Sequence, residues 1–353
     1  MSVVQEMFSR KRILPLLLMI VIIIFWYARR PAPMMEVSGI TFGTIAYKVK
    51  YKDPQKRDLA TPIDSLLTVF NNALSHYVPS SEVSEFNART EGNQGYRSPF
   101  FFPVLEESKR IYELSEGAYN PAIMPLVNIW GFGPEEGIAP DSALIDSLQA
   151  FTSFKLVHFD PQKVWKDDPR VQLDFSASAK GYGIDVVGHF LEAKGINNYF
   201  VEIGGEVYCK GTNKQDKPWV IGILSPESEL LNQFFYATAG VTDMAVATSA
   251  NNFNYRIIDG VRYSHTIDPA TGFPAERNIL SATVFAPECL TADALATACM
   301  VLDVEKSVKL IESLEGVEAM FIYSEEDGAL HEYISAGAKP MIKIVERKAD
   351  AVQ

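Results

Sequence analysis

The sequence predicts an α+β fold of two packed lobes, built from mixed sheets and helices, behind an N-terminal membrane anchor. Three observations support this prediction. Stretches with apolar residues at helical spacing are interspersed with short alternating runs typical of strands. The order strand, small-residue turn, helix occurs at LDFSASAKGYGIDVVG, but GxGxxG and GKS/GKT are both missing, which excludes the dinucleotide and P-loop folds. An unbroken apolar run stands close to the N-terminus.

Composition limits the classes of function. The 353 residues are 47% hydrophobic, which is enough for two domains or one large one. The formal net charge is -12 and no basic stripe offsets it, so we expect no nucleic-acid partner. The three cysteines, Cys209, Cys289 and Cys299, form no CxxC pair, and we expect them to be buried or inert.

The apolar run ILPLLLMIVIIIFWYA covers residues 13–28 and has basic residues on both sides. As a helix at about 1.5 Å per residue it spans about 24 Å, short for a bilayer but sufficient with aromatic and arginine side chains at the interfaces. A cleaved signal peptide is the alternative. No A-x-A-like site follows, and Pro31 and Pro33 crowd the cleavage zone, so an uncleaved signal anchor is favoured.

These features divide the chain into a basic segment (1–12), a signal anchor or transmembrane helix (13–28), a linker (29–38), a folded domain (39–346) and a tail (347–353). A small excess of basic residues before the apolar run favours an N-terminus inside the cell. We therefore expect the folded domain to lie outside the cytoplasm.

The first half of the folded domain is predicted to be mainly helical. We predict a strand at ITFGTIAYKVKY, helices at IDSLLTVFNNALSHY, RSPFFFPVLEESKRIYELSEG and DSALIDSLQAF, and a turn or short helix at VPSSEVSEFNA. A Pro-, Gly- and aromatic-rich stretch, AYNPAIMPLVNIWGFGPEEG, fits neither a clean helix nor a strand. It is typical of a loop that walls a ligand, although a loop that only plugs the core is an equal alternative.

The second half is predicted to be rich in strands. We predict a strand that ends at Asp174, a helix closed by Gly195, strands at NYFVEIGGEVYCKG, WVIGIL and NILSATVFAP, and hairpins at YRIIDGVRYSHTIDP and AMFIYSEEDGALHEYISAG. A helix at EKSVKLIESLEG precedes the last hairpin. The residues Gly204 and Gly205 are expected at a bulge or at an edge that faces a ligand.

The run LTADALATACMVL predicts a helix with chemistry at its start. Thr291 is placed as the N-cap, Asp293 in the first turn, and Thr297 one turn later on the same face. A carboxylate and a hydroxyl at this spacing suit Mg²⁺, and the helix N-terminus favours phosphate. The alternative is a plain capping threonine followed by an aspartate that complements the helix dipole.

Two further positions carry predictions. Lys180 falls in the first turn of a predicted helix, where the dipole disfavours a cation, so an anionic partner is expected unless it is a surface lysine. His265 and Asp268 precede the rigid turn DPATGFP. A lone histidine is more often structural than catalytic.

Taken together, the chain resembles the ApbE family of flavin transferases, from about Gly43 to about Ile322. The resemblance rests on seven motifs in order: GTIAYKV, SEVSEFN, GAYNPAIMPLVNIWGFG, LDFSASAKGYGID, VEIGGEVYCKG, YSHTIDPATGFP and TADALATA. It implies Mg²⁺-dependent cleavage of FAD, transfer of FMN to a Thr or Ser hydroxyl of an acceptor protein, and release of AMP. It also implies acceptors among membrane electron-transport subunits, and a periplasmic site on the bacterial inner membrane.

The resemblance also implies roles for individual residues. The metal would be held by Asp293, Thr297 and the backbone oxygen of Ala177. The substrate FAD would contact Phe42, Tyr77, Ala118, Tyr119, Asn120, Asp174, Lys180 and Ile267. The catalytic residues would be His265, as acceptor of the hydroxyl proton, and Asp268.

This sequence departs from the family pattern at two places. Ala250 stands where many relatives have glycine, and DFSASAKG lacks the glycines usual in that turn. Neither change removes an implied ligand. Two other functions stay open at this point, namely an FAD pyrophosphatase in which water replaces the acceptor, and a flavin-binding protein without turnover.

Overall fold

The computed structural model describes residues 15, 17–19, 32–134, 137–138, 140–229, 231–251, 255–258, 261–325 and 328–345. It has the predicted mixed α+β character. Within those ranges no helix is both long and apolar enough to cross a membrane. The predicted anchor, residues 13–28, lies almost wholly outside the described residues. The first strand begins at Met34, inside the stretch predicted as the linker.

The centre of the fold is an eight-stranded antiparallel sheet with the strand order β1-β2-β6-β7-β10-β13-β14-β15. Its strands are β1 (Met34–Thr41), β2 (Ile45–Lys52), β6 (Tyr199–Ile203), β7 (Glu206–Lys210), β10 (Met244–Ala250), β13 (Ile279–Ala286), β14 (Glu318–Ser324) and β15 (Leu330–Ile334). The predicted single strand at ITFGTIAYKVKY is thus a hairpin, because Phe42 and Gly43 both take positive φ and turn the chain.

Helices cover one face of this sheet. They are α1 (Ala60–Leu74), α6 (Ala179–Ala193), α7 (Cys289–Val301) and α8 (Val304–Glu312). Every residue of α7 except Thr297 is buried, as expected for a helix that is apolar on all sides. It therefore forms the middle of the core between the sheet and α6.

The opposite face of the sheet is covered by a second, three-stranded sheet. This sheet has the order β16-β9-β8 and contains β8 (Trp219–Leu224), β9 (Phe235–Val241) and β16 (Ile342–Ile344). Trp219, Ile221 and Ile223 point inward from β8 and alternate with exposed residues, which is the pattern of a strand with one buried face.

A third region packs beside the helical face around a cluster of phenylalanines. Its helices are α2 (Glu82–Ala88), α3 (Phe101–Leu114), α4 (Met124–Ile129) and α5 (Ser142–Gln149), with short 3₁₀ turns at Pro121–Ile123 and Phe154–Leu156. Its strands are β3 (Gln94–Gly95), β4 (Val157–Asp160) and β5 (Lys163–Lys166). A separate hairpin is formed by β11 (Tyr255–Ile258) and β12 (Val261–Ser264), as predicted, and its turn at 259–260 lies outside the described residues.

Two further element predictions are wrong. The stretch before Asp174 is not a strand, because Leu173 exchanges backbone hydrogen bonds with the side chain of Asn87 and Asp174 N donates to Pro121 O instead of to a neighbouring strand. The aromatic stretch after Tyr119 is not wholly a loop, since Asn120 caps the 3₁₀ turn that leads into α4. The helices at 60–74, 101–114, 142–149 and 304–312 are confirmed.

Candidate functional site

A cavity of about 1130 Å³ opens at the end of the central sheet where the β6–β7 hairpin turns. Gly204 and Gly205 make this turn with positive φ, as predicted for an edge that faces a ligand. The cavity collects nearly all predicted site residues. They are Phe42, Tyr77, Ala118, Tyr119, Asn120, Asp174, Ala177, Lys180, His265, Ile267, Asp293 and Thr297.

Three charged side chains meet on the floor of the cavity. Lys180 lies in the first turn of α6, as predicted, and its Nζ is 3.5 Å from Asp293 Oδ1 and 3.5 Å from Glu206 Oε1. The other oxygen of Asp293 accepts a hydrogen bond of 3.0 Å from the backbone N–H of Gly181. Residues from α6, α7 and β7, far apart in the sequence, thus form one charged group.

Two carboxyl groups share one lysine in this group. Burial raises the pKa of Asp293 and that of Glu206, in both cases against the lowering effect of Lys180. Burial opposes the charge of Lys180, but the two carboxylates outweigh it and raise the pKa of Lys180. Glu206 Oε2 is buried without a hydrogen-bond partner. An additional cation would stabilise the ionised forms of both carboxyl groups and would give Glu206 Oε2 a partner.

The donors near this group suit a hard cation. Thr297 lies one turn after Asp293 on α7, and its hydroxyl is 3.4 Å from that of Ser249. Ala177 lines the same cavity. Within the described ranges no group of three or more His, Cys, Asp or Glu residues could hold a metal. A cation here would therefore use one or two carboxylates, neutral oxygens and the oxygens of a substrate, a donor set that Mg²⁺ accepts.

The start of α7 differs from the prediction. The helix begins at Cys289, so Thr291 is not the N-cap and Asp293 lies in the second turn. The Thr291 hydroxyl instead donates to Glu107 Oε1 at 2.6 Å. The helix starts earlier because the carboxylate of Asp185 accepts the first two backbone N–H groups, those of Cys289 and Leu290, at 2.8 Å each.

Aromatic side chains form a wall of the cavity. Phe42 has a φ of 48°, which is rare for a bulky residue, and its ring packs on that of Phe70. Tyr77 is 60% exposed and its ring packs at a tilt against that of His76, and Phe132 lies edge-on to His265. Flat rings at the rim of a polar cavity are suited to bind another flat ring.

Two predicted ligand-binding side chains are occupied by contacts within the protein. Asn120 donates to Thr152 O at 2.6 Å and accepts from Ala122 N at 3.0 Å. The hydroxyl of Tyr119 lies 2.8 Å from that of Ser178 and 3.1 Å from that of Ser108. These residues line the cavity, but their polar atoms hold its wall in place.

Asp174 is paired with a histidine. Its Oδ1 lies 3.2 Å from His76 Nδ1 and accepts from Ser176 N at 2.7 Å. Burial opposes ionisation, but His76 and the Ser176 hydrogen bonds lower the pKa of Asp174. The other ring nitrogen of His76, Nε2, is buried without a hydrogen-bond partner, and His76 lines the cavity. The hydrogen-bonding capacity of this nitrogen is therefore unused within the described part of the protein.

Only some residues of the HTIDP segment line the cavity. His265 and the buried Ile267 line the cavity. Asp268 does not, and its predicted placement in the site is not supported. It is buried, accepts from Arg277 Nη2 at 2.8 Å and from Ala270 N at 2.9 Å, and so stabilises the turn that follows. Arg277 also donates to Val301 O at the end of α7.

Several residues of the cavity lining carried no sequence prediction, among them Glu206, His76 and Arg256. The exposed guanidinium of Arg256 lies over the Phe132 ring and adds a second cation to the wall. Only Glu206 had a usable signal, since it directly follows the paired glycines. His76 and Arg256 reach the cavity through loop and hairpin geometry that no local pattern encodes.

The fold and the cavity define an α+β enzyme with a cleft for a large ligand that has both an anionic and a flat aromatic part. The comparisons agree with this class. The family model described as "ApbE family" matches residues 42–321. The chain therefore belongs to the ApbE family.

Two curated relatives have the same name. The FAD:protein FMN transferase of Vibrio cholerae is 38% identical over 319 residues, covering 89% of this chain and 94% of the relative. That of Haemophilus influenzae is 33% identical over 332 residues, covering 91% and 94%. The solved flavin transferase ApbE from Vibrio cholerae is 37% identical with a TM-score of 0.80, covering 88% of this chain and all of that one. The apo flavinyl transferase ApbE of Pseudomonas stutzeri is 30% identical with a TM-score of 0.77, covering 89% and 98%.

Proposed function

We propose that the protein is an FAD:protein FMN transferase. It cleaves FAD in a Mg²⁺-dependent reaction, transfers the FMN moiety to a Thr or Ser hydroxyl of an acceptor protein, and releases AMP. The single observation that carries this proposal is the group of Lys180, Asp293 and Glu206 at the floor of an aromatic-walled cavity. Family membership and the shared name of the relatives support it.

The reaction is a substitution at phosphorus. The acceptor oxygen forms a bond to the phosphorus of the FMN half, the bond from that phosphorus to the bridging oxygen breaks, and AMP leaves with the bridging oxygen. The acceptor hydroxyl loses its proton. Such a reaction needs positive charge on the non-bridging oxygens and in-line placement of the nucleophile.

The chain's own residues supply most of these requirements. Lys180 provides positive charge at the diphosphate, with Arg256 at the wall, while Phe42, Tyr77 and Phe132 offer surfaces for the flavin or adenine ring. A Mg²⁺ ion, when bound, neutralises phosphate charge, and Asp293, Thr297 and the backbone oxygen of Ala177 would hold it.

His265 is proposed to accept the proton of the acceptor hydroxyl, since it lines the cavity near the aromatic wall. Asp268 is proposed only as a support of this segment, through its contacts with Arg277 and Ala270. In the alternative reaction, water takes the place of the hydroxyl, and FMN and AMP are released free.

The experiment is incubation of the full-length chain with FAD, Mg²⁺ and a candidate acceptor domain, followed by intact mass of the acceptor and analysis of nucleotides. We expect a mass gain of one FMN residue on the acceptor, one AMP released per transfer, and loss of both in Asp293→Ala. Free FMN with an unmodified acceptor would instead identify a pyrophosphatase, and intact bound FAD would identify a binding protein. Unimpaired transfer by a folded Asp293→Ala variant would refute the assigned metal site.

We also propose that residues 13–28 anchor the protein in the bacterial inner membrane, with the folded domain in the periplasm and a membrane electron-transport subunit as acceptor. The basic flanks of the apolar run support this orientation. Resistance to carbonate extraction from membranes, together with digestion of the domain by protease added to spheroplasts, would be the expected result. Digestion only after lysis would contradict the orientation.

A further inference from the structure

Helices α6 and α7 exchange hydrogen bonds in both directions where their N-terminal ends meet. The backbone N–H of Gly181 on α6 donates to Asp293 Oδ2 on α7 at 3.0 Å. One turn further along α6, Asp185 accepts from the N–H groups of Cys289 and Leu290 on α7 at 2.8 Å each. Each helix therefore binds the first turns of the other.

Asp185 lies on α6 but acts as the N-cap of α7. The residue in the N-cap position of α7, Glu288, makes no side-chain capping hydrogen bond. The first backbone N–H groups of a helix have no partner within it, and a buried helix start needs partners from elsewhere. Asp185 is buried, and each of its carboxylate oxygens accepts one of these groups.

The same helix that carries Asp185 carries Lys180. On α7, Asp293 and Thr297 follow Leu290 on a single rigid helix, so the position of the first turn sets the position of both. We propose that Asp185 is a positioning residue, which holds the Asp293–Thr297 pair in register with Lys180. The part of this proposal that concerns a cation rests on the proposed function, whereas the register of the two helices does not.

The geometry requires an aspartate. An asparagine would offer one acceptor oxygen, and its NH₂ group would face a backbone N–H, which is also a donor. A carboxylate additionally complements the positive end of the α7 dipole. Asp185 lies outside the lining of the catalytic cavity, so its replacement changes no group that touches the substrate.

The first measurement is hydrogen exchange of the metal-free, full-length chain, comparing Asp185→Asn with the wild type. Gly181 is the third residue of α6 and has no helical partner for its N–H, so its protection depends on Asp293. We expect faster exchange at Cys289 and Leu290 and also at Gly181, because α7 shifts away from α6. Faster exchange confined to Cys289 and Leu290 would overturn the proposal, since Asp185 would then be only a local cap.

The second measurement is titration with Mn²⁺, followed by electron paramagnetic resonance, as a stand-in for Mg²⁺. We expect the Kd of Asp185→Asn to rise at least about tenfold, as is usual when a group that orients metal ligands is lost. The matched control is Asp303→Ala, which removes the cap of α8, a hydrogen bond of 2.8 Å from Lys306 N. Its Kd should equal that of the wild type even if its melting temperature falls.

Equal Mn²⁺ affinity of the wild type and Asp185→Asn would overturn the proposal. A wild-type chain that binds no Mn²⁺ would refute the proposed metal site alone, because the exchange experiment contains no metal and still decides the register. FAD binding in EDTA, measured by flavin fluorescence, should change by less than about threefold in Asp185→Asn, since α6 and Lys180 stay in place.

Discussion

Replacement of Gly181 by alanine should separate the two helices that form the site. A Cβ atom at this position would lie 2.2 Å from the carbonyl oxygen of Cys289 and 2.9 Å from the Cβ of Asp293. Real Cβ contacts essentially never fall below 3.0 Å, and the closest neighbour is backbone that cannot rotate away. The helices must therefore part by at least the difference, about 0.8 Å.

This shift would lengthen the 3.0 Å hydrogen bond from Gly181 N to Asp293 to as much as about 3.8 Å, beyond hydrogen-bonding distance. Misplacement of catalytic groups by about 1 Å can cost about 10²-fold in rate, so we expect a transfer rate lower by about that factor. Overpacking should lower the free energy of unfolding by about 1–3 kcal/mol, whereas the better helix propensity of alanine should raise it by about 1 kcal/mol. The variant should thus fold, with a modest loss of stability.

The assay is the rate of FMN transfer to the acceptor at saturating FAD and Mg²⁺, with thermal unfolding measured in parallel. The matched control is Gly188→Ala on the same helix, whose added Cβ would meet the hydroxyl of Tyr199 at 2.8 Å instead of the α7 backbone. It should lose stability and keep its transfer rate. Equal rates for Gly181→Ala and the wild type would refute the claim that close α6–α7 packing sets the geometry of the site.

Three more outcomes are expected. Hydrogen bonds from Arg57 lower the pKa of the buried Asp53 to about 2. As the pH falls from about 4, the unfolded chain takes up this proton before the folded chain does, so the free energy of unfolding decreases towards pH 2. In urea titrations over this pH range, the free energy of unfolding of Asp53→Asn should decrease less than that of the wild type. Arg277→Ala should lower the free energy of unfolding by about 1–3 kcal/mol in the same assay, because it leaves the buried Asp268 without its cation, and an unchanged midpoint would contradict this role. The three cysteines, Cys209, Cys289 and Cys299, should react with Ellman's reagent only after denaturation, because burial hides each thiol and raises its pKa. Reaction in the native state would refute their burial.

The helices of this fold were predictable because their apolar spacing is local information. The helix at Val304–Glu312, for example, has a clear amphipathic pattern and an Asp303 cap. The start of α7 was not predictable. Thr291 is a good capping residue by type, but Asp185 lies more than a hundred positions earlier and supplies a stronger cap from another helix. Tertiary hydrogen bonds here override a local signal.

The sequence predicted which residues line the cavity better than it predicted what each of them does. The motifs brought together the residues that line the cavity, yet Asp268, next to them in sequence, turns away to Arg277. Asn120 and Tyr119 line the cavity, but their polar side-chain atoms form hydrogen bonds within the protein. A motif records which residues occur together, whereas the direction of each side chain follows from backbone geometry and packing that are not visible in a linear sequence.

The distance in sequence between α6 and α7 has a consequence for synthesis. A growing chain acquires Lys180 long before Asp293, and Glu206 emerges between them. Until the ribosome has released α7, Lys180 and Glu206 lack Asp293 and Thr297, and strands β14 and β15, which follow α7 in the chain, are missing from the sheet. A nascent polypeptide therefore cannot assemble the cavity floor, and flavin capture has to follow completion of almost the whole domain.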